Sequence, residues 1–348
     1  MQQHEVKRLV AERLRELFPV ARRWEETAET KLGTQAAPVV VRFRLGEQEK
    51  MLVCEVRSLG QPRHIREVVT RLRGYRDQFP GAHLMAGSVY ISPQSASILR
   101  REGFGYVDLS GNCYVAFDSV LIEKEGKPNL RPTTHPLKTL FAPRATRVVR
   151  ALLVEPERTW RLEHLAKAAE VSLGHTYNVI QRLRDLDWVE RGETNKIRLA
   201  APSDLLNAWR EEYSYRVNGL ASYVAPEPPR RKLMDMLARQ AEAMGHRYAF
   251  TLQAGASLIA PHGRLATIHC YLEGDRERFT QALGLRSAGN GEGNVQLFTP
   301  QDPGIFYAPV EKGGLKVVCL PQLYVDLYHF ERQGAEQAGF LRKHAMGY

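Results

Sequence analysis

The sequence has no apolar run that approaches the roughly 18 residues of a membrane-spanning helix. Its first residues, Met-Gln-Gln-His-Glu-Val-Lys-Arg, also lack the apolar stretch of a secretory signal peptide. Cysteine is scarce and forms no CxxC pair, so neither a disulfide framework nor a cysteine metal site is indicated. These absences predict a cytosolic protein with no membrane partner. Its thiols are expected to be buried and reduced, and they are Cys54, Cys113, Cys270 and Cys319.

Positive charge, in contrast, is in excess and is unevenly distributed. The 348 residues, enough for two or three globular domains, include 49 Lys and Arg against 39 Asp and Glu, a net charge of +10. Residues 1–143 hold 22 basic and 16 acidic residues, 144–200 hold 11 and 8, and 201–348 hold 16 and 15. Between Arg57 and Arg101 lie eight arginines and no lysine. Because arginine suits bidentate phosphate contacts, this stretch predicts DNA binding; the alternative is a solvated helix face.

The first third of the chain alternates between helix and strand signals. Apolar periodicity predicts helices over 5–18 and 62–78, and a short helix that begins near Ser92. Strand-like runs lie between and after them, and this order predicts an α/β domain with a mixed sheet over residues 1–125. The predicted strands are 38–45, 50–56, 84–91, 106–110 and 113–117. Residues 126–143 contain four prolines and are predicted to be a linker.

Residues 144–200 carry the most informative pattern. Helical stripes over 144–154 and 162–169 are followed by a turn, a third helix over 173–188 and two strands that alternate around a Gly-Glu-Thr-Asn tip. Leu173, Tyr177, Ile180 and Leu183 are predicted to form the inward side of the third helix. The order of elements resembles the winged helix-turn-helix of bacterial transcription regulators. Such a module binds DNA, although one used only for protein contacts is the alternative.

The polar face of this third helix holds side chains that can reach base edges from a major groove, and the hairpin holds cations for phosphates. The arginines of the first domain are candidates for further phosphate contacts. The predicted DNA-binding residues are Ser172, His175, Thr176, Asn178, Gln181 and Arg182 on the helix, Arg191, Lys196 and Arg198 on the hairpin, and Arg66, Arg73 and Arg76 in the first domain.

Cys54-Glu55-Val56-Arg57 ends a strand after a hairpin and, with the order of the elements, resembles the restriction-endonuclease-like PD-(D/E)XK fold. In active members a first-strand carboxylate and the (D/E)xK pair bind a divalent metal. Glu55 matches the middle carboxylate, but the preceding strand has no Asp and Arg57 occupies the lysine position. Arginine cannot act as a base, and one carboxylate holds Mg²⁺ poorly. Glu55 and Arg57 are therefore predicted to form a degenerate nuclease site, with no metal and no catalytic residue; the alternative is a metal-dependent nuclease centred on Glu55.

The last third is predicted to contain a helix and a proline-rich hinge over 201–229 and an α/β interaction domain over 230–348. Gly255-Ala256-Ser257 weakly resembles the Gly-Ser of nucleotidyltransferases, but the paired carboxylates that hold two metals do not follow. A closing helix is predicted from Gln322 through Lys343. The phrase Gly105-Tyr106-Val107-Asp108-Leu109-Ser110-Gly111-Asn112 is unusual, and its Asp108 and Asn112 either cap a tight turn or form a small polar site.

The phrase GYVDLSGN, the winged-helix pattern and the ending LPQLYVDLYHFERQGAEQAGFLR together resemble the AbiEi-type antitoxins, a family of bacterial transcriptional regulators of type IV toxin-antitoxin systems. The resemblance implies a repressor that binds operator DNA and a C-terminal domain that counteracts a nucleotidyltransferase-like toxin. The sequence thus predicts a multidomain α+β or α/β protein that regulates transcription, is not an enzyme and uses no cofactor. Its predicted partners are double-stranded operator DNA and such a toxin; the oligomeric state, a homodimer included, stays open.

Overall fold

The computed structural model describes residues 3–27, 31–32, 35–118, 120–130, 140–192, 196–225, 229–262, 265–289, 293–330 and 334–348. Within them, the chain is a mixed α/β protein with two seven-stranded mixed sheets and smaller two-stranded ones. The chain divides into unit 1, Met1–His135 with Arg184–Asp187, and unit 2, Pro136–Leu183 with Trp188–Tyr348. The predicted class, a multidomain protein of mixed helices and strands, is confirmed at this level.

Unit 1 begins with a helix and continues as an alternation of strands and helices. The helix predicted over 62–78 and the strand predicted over 113–117 have the bounds that the sequence indicated. The two outer strands of the sheet, Arg22–Thr27 and Val120–Lys124, were not predicted, because edge strands carry little apolar alternation. The elements are α1 Gln3–Leu17, β1 Arg22–Thr27, β2 Lys31–Leu32, β3 Gln35–Ala36, β4 Val39–Leu45, β5 Gln48–Arg57, α2 Pro62–Gln78, β6 His83–Ser88, α3 Pro93–Arg101, β7 Gly105–Asp108, β8 Cys113–Phe117 and β9 Val120–Lys124.

The large sheet of unit 1 has the strand order β1-β4-β5-β6-β7-β8-β9. β5, β6 and β7 run parallel, and their other neighbours pair antiparallel. Helices α2 and α3 connect the parallel strands, as crossover connections require. Alternate residues of β5 point to opposite faces of the sheet: Cys54 packs in the cluster that contains α1, and Val53 packs in the cluster that contains α2 and α3. Glu55 follows the second alternation, so its carboxylate faces α2.

Unit 2 contains a group of three helices and a hairpin, followed by a second seven-stranded sheet with its helices. Its elements are α4 Pro143–Val154, α5 Leu162–Ala168, α6 Leu173–Asp185, β10 Val189–Arg191, β11 Ile197–Leu199, α7 Pro202–Glu212, β12 Gly219–Val224, α8 Arg230–Ala243, β13 Arg247–Thr251, α9 Leu252–Ile259, β14 Ile268–Glu273, α10 Arg276–Ala282, β15 Arg286–Ser287, β16 Val295–Thr299, β17 Val310–Lys312, β18 Leu315–Val317, α11 Leu320–Tyr328 and α12 Gly334–Leu341. Two short 3₁₀ helices, Tyr215–Val217 and Pro303–Phe306, and a π-helical turn, Arg342–Met346, complete it.

The large sheet of unit 2 has the order β15-β12-β16-β14-β13-β18-β17. β12 and β16 were not predicted. β12 lies in the segment 201–229, which was predicted to hold only a helix and a hinge, and the helix α7 ends at Glu212. The closing helix, predicted as one, is two helices, α11 and α12. Residues 331–333 between them lie outside the described part of the chain, and so do residues 226–228 of the predicted hinge.

The four cysteines are free and buried, as predicted. Burial raises the pKa of Cys270 to about 12 and that of Cys319 to about 11, so both thiols stay protonated near neutral pH. Within the residues described, no helix combines the length and the apolar character that a membrane crossing needs.

Candidate nucleic-acid interface

The three helices α4, α5 and α6 and the hairpin β10–β11 follow one another in the chain and form the candidate module. Each contributes a buried apolar side chain: Leu152, Leu165, Ile180 and Ile197 are at most 1% exposed. The hairpin pairs antiparallel, with Val189 opposite Leu199. Trp160, between α4 and α5, forms an isolated β-bridge with the hairpin: its backbone N–H donates to the carbonyl of Ile197 at 2.8 Å, and the reverse bond is 2.7 Å. Helix, helix, turn, helix and hairpin therefore occur in the predicted order.

The solvent-exposed face of α6 is rotated about the helix axis relative to the predicted face. Thr176 is fully buried, with Val179, Ile180 and Leu183, and its hydroxyl donates to the carbonyl of Ser172 at 3.1 Å. Tyr177, which the sequence analysis placed inside, is 45% exposed. A satisfied threonine hydroxyl can enter a core, and the stripe 176, 179, 180 and 183 has helical spacing as good as the predicted one. Thr176 is thus a core residue, and Tyr177 joins the candidate surface.

Leu173 is also exposed rather than inward, at 48%, and Asn178 lies on the same outward face. Gln181 and Arg182, one turn further along, are partly exposed and are engaged in contacts with other residues. The exposed face of α6 therefore combines an amide, a phenol and an apolar side chain. These groups can respectively read adenine, donate or accept a hydrogen bond, and contact a thymine methyl group.

The start of α6 is capped and electropositive. Ser172 is its N-cap, as predicted, because its Oγ accepts a hydrogen bond from the backbone N–H of His175 at 3.3 Å. Partial burial, and then the charges of Arg144 and Arg182, lower the pKa of His175, so its ring is neutral near pH 7. Arg144, exposed in the first turn of α4, was not predicted. No sequence signal indicates it, since only the packing of α4 brings its charge near α6.

The hairpin carries the remaining predicted contacts of this module. Lys196 is exposed, at the start of the second strand. Arg198 is exposed as well, and its Nε donates to Oε1 of Glu190, the residue opposite it on β10, at 2.7 Å. Exposed ion pairs contribute about 0–1 kcal/mol, so a phosphate could replace Glu190 at little cost. The side chain of Arg191 lies outside the described part of the chain.

Two arginines of α4 fix this module to the rest of unit 2. Arg147 forms a bidentate ion pair with Asp302, its Nε and Nη2 lying 2.8 Å and 2.9 Å from the two carboxylate oxygens. Arg150 is buried, and its Nη2 donates to Oε1 of Gln322 on α11 at 2.8 Å. The hydroxyl of Tyr348 donates to the carbonyl of Leu153 at 2.7 Å. Helix α4 is therefore held by residues that lie far along the chain.

The arginines predicted to hold phosphates in unit 1 all have partners within that unit. Arg66 donates from Nε to Asp187 at 2.9 Å, and Arg73 is paired with Glu102. Arg76 donates to the carbonyl of Glu102 at 3.4 Å. Arg66 and Arg73 nevertheless stay more than half exposed. Phosphate contacts by these residues stay a prediction, and each would require an existing contact to be exchanged.

The predicted degenerate nuclease site is a buried charge cluster between β5 and α2. Glu55 is only 3% exposed. Its Oε1 accepts a hydrogen bond from Nη1 of Arg71 at 3.1 Å and lies 3.5 Å from Nε of Arg57. Its Oε2 accepts one from the hydroxyl of Tyr75 at 2.9 Å, and burial beside Glu55 raises the pKa of Tyr75 to about 12. Both carboxylate oxygens are thus occupied by this chain's own donors. The residues described include no group of three or more His, Cys, Asp and Glu side chains that could hold a metal.

The Asp108–Asn112 turn has a structural role. Asp108 is fully buried, and its carboxylate accepts hydrogen bonds from the backbone N–H groups of Ile91 and Asn112 at 3.1 and 2.9 Å. The Asn112 amide then clamps the backbone of Lys127, accepting from its N–H at 2.8 Å and donating to its carbonyl at 3.1 Å. These contacts favour the turn-capping interpretation. The turn also holds the segment that follows β9 in place.

Compared with protein-family models, with curated proteins and with solved structures, the chain matches none of them.

Proposed function

We propose that the chain is a sequence-specific DNA-binding transcriptional regulator, a repressor, whose winged helix-turn-helix consists of α4, α5, α6 and the hairpin β10–β11. The observation that carries this proposal is the outward face of α6, where Asn178 and Tyr177 stand exposed on a capped helix start with Arg144 and Arg182 close by. A helix of this kind enters the major groove with its first turns against the bases, and its dipole and cations attract phosphate.

Lys196 and Arg198 are proposed to hold backbone phosphates from the hairpin. For unit 1 we propose a restriction-endonuclease-like fold that has lost its chemistry. Its hairpin β4–β5 followed by α2 and the parallel strand β6 supports that assignment, as does the engagement of Glu55 by Arg71 and Tyr75. Because arginine replaces the lysine of the nuclease pattern at position 57, no group at this position can act as a base.

Replacing Asn178 by alanine is expected to relax sequence preference. An asparagine amide that bonds an adenine edge contributes about 1–3 kcal/mol of discrimination at one base pair. The measurement is a comparison of Kd for a site selected from a random double-stranded pool with Kd for its single-base variants. Thr176→Val is the matched control two positions earlier: its side chain is buried, so base discrimination should be unchanged.

In the same assay, Lys196→Ala should weaken binding to every sequence about equally and reduce the slope of log K against log salt by about one, because one phosphate contact is lost. An equal loss on all sequences for Asn178→Ala, or lost discrimination for Thr176→Val, would contradict the proposed orientation of α6.

We also propose that the C-terminal part of unit 2 binds a nucleotidyltransferase-like toxin. The resemblance of the closing segment to AbiEi-type antitoxins supports this. Leu220 precedes the predicted domain 230–348, but its strand β12 pairs with β16 of the same sheet, and its apolar side chain is 50% exposed. The full chain is expected to co-purify with such a protein when the two are co-expressed from neighbouring genes. Leu220→Lys should weaken the complex and leave DNA binding unchanged. Absence of such a gene and of any complex would refute the partnership.

A further inference from the structure

Unit 1 contains a cavity of about 520 Å³ that the DNA-binding proposal does not use. We name it the α3 cavity. It lies between α3 and the segment 125–128, beyond the carboxyl end of the parallel strand β6. In α/β sheets, ligands bind beyond the carboxyl ends of parallel strands, and small-molecule sites have volumes of roughly 300–1,000 Å³. Both the position and the size of the α3 cavity are therefore those of a ligand site.

Hydrogen bonds hold one wall of the cavity in place. The clamp of Asn112 on the backbone of Lys127 holds the segment 125–128. Tyr106 donates to Oε1 of Glu125 at 2.7 Å, and Nη2 of Arg100 lies 2.8 Å from the same carboxylate. Arg100 also pairs with Glu123, which does not line the cavity, so this wall is polar and adds no positive charge. Because the wall is already ordered, a ligand would bind without the cost of ordering it.

The remaining lining combines apolar surface with unneutralised positive charge. Tyr90, Ile91, Pro93 and Pro128 supply aromatic and aliphatic surface. Arg101 and Lys127 also line the cavity and are exposed. Among the residues that the structure describes, neither side chain has an ion-pair partner. Arg101 is thus the one arginine between 57 and 101 for which the described residues supply neither an ion pair nor a hydrogen bond, whereas Arg76 donates to the carbonyl of Glu102.

We propose that the α3 cavity binds a small organic anion that carries a flat ring, such as a nucleoside monophosphate or an aromatic carboxylic acid. The ring lies against the tyrosine and proline side chains, and the anionic group is held by Arg101 and Lys127. Aromatic and apolar walls with a few convergent polar groups select flat molecules. Two cations favour phosphate or carboxylate. The inference concerns unit 1 alone and does not depend on DNA binding by α6.

The test is isothermal titration of the full chain with the four ribonucleoside 5′-monophosphates, benzoate and indole-3-acetate. Inorganic phosphate serves as the anion without a ring, and adenosine as the ring without the anion. At least one ring-bearing anion should bind, at least about tenfold more tightly than both reference molecules, because it gains both kinds of contact. Binding of the nucleoside monophosphates or of the aromatic carboxylates shows which anionic group the cavity accepts.

Three variants locate the binding. The double variant Arg101→Ala/Lys127→Ala should weaken it roughly tenfold or more, because charge-assisted hydrogen bonds are lost. Ser97→Trp, an exposed cavity-lining position on α3, should abolish it without a change in unfolding. Arg15→Ala removes an exposed arginine of α1 outside the cavity and should leave binding unchanged. The proposal is overturned if no ring-bearing anion binds at millimolar concentration, if phosphate alone binds equally well, or if binding survives Ser97→Trp.

Discussion

Glu55→Ala is expected to destabilise unit 1 by about 1–3 kcal/mol, the range for leaving buried hydrogen-bonding groups without a partner, because both arginines stay at least a quarter exposed. The loss would leave Arg71 and Arg57 without their anion and the buried hydroxyl of Tyr75 without its acceptor. A nuclease carboxylate would behave differently. Removing a metal-binding acid from an empty site relieves a desolvated charge and does not orphan donors, so it would cost little stability.

Urea unfolding of the full chain, followed by amide hydrogen exchange in the peptides of β5 and α2, measures this effect. Glu47→Ala provides the control, because its side chain is 95% exposed and paired only with Arg44, so the change should stay within about 0.5 kcal/mol. Glu55→Gln should lie between the two variants, since the amide oxygen can still accept a hydrogen bond. Incubation with plasmid DNA and Mg²⁺ or Mn²⁺ completes the test: cleavage that Glu55→Gln abolishes would overturn the structural role of Glu55.

Unit 2 is expected to become less stable as the pH rises from about 4 to about 7, because the carboxyl group of Asp326 loses its proton. Burial raises the pKa of Asp326 from 3.8 to about 6, although its neighbours donate hydrogen bonds to it. These donors are Tyr213 at 2.7 Å, Gln322 at 2.9 Å, Thr251 at 2.5 Å and Tyr271 at 3.2 Å. The folded state therefore binds the proton more tightly than the unfolded state does. The stabilisation is fully present below about pH 4 and is lost as the pH rises through about 6, to a total of about 3 kcal/mol.

The measurement is the free energy of unfolding of α11, from amide exchange, as a function of pH for the wild type and for Asp326→Asn. Asparagine does not titrate, so the difference between the two curves isolates the carboxyl group. The wild type should lose stability relative to the variant between pH 4 and 7, and the difference should be constant above that. The phenols of Tyr213 and Tyr271 do not titrate here, because burial and the charge of Asp326 raise their pKa well above the ordinary value. A difference curve that is flat, or that rises with pH, would contradict the assignment.

Asp326 lies in a network that joins distant parts of the chain. Arg150 of α4 bonds Gln322, and Gln322 bonds Asp326 on the same helix, so the first helix of the proposed DNA-binding module is linked to the buried carboxylate. No role was predicted for Arg150, Gln322 or Asp326. No local pattern distinguishes a buried arginine on an amphipathic helix from an exposed one, and the acceptor of Arg150 lies 172 residues further along.

Local signals predicted the elements that have strong signals of their own. Helix α2 begins with Pro62 at its first position, and its apolar residues recur with helical spacing, so both bounds agree with the prediction. The N-cap of α6 at Ser172 agrees as well. The rotation of α6 could not be predicted, because Thr176 and Tyr177 are both amphipathic and only the packing of α4 and α5 decides which of them is buried.

The arginine-rich stretch separates the information that the sequence contains from the information that the fold adds. The sequence determined that eight arginines lie between Arg57 and Arg101 with only Glu67 and Asp77 among them. The fold brings acids from outside this stretch to its arginines: the acidic partners are Glu55 for positions 57 and 71, Asp185 for 63, Asp187 for 66, Glu102 for 73, and Glu123 and Glu125 for 100. Charge density along a chain is a property of neighbours in sequence, whereas an ion pair depends on distance in space. The net charge counted along the sequence is therefore correct, but the fold decides which of these arginines are paired with acids.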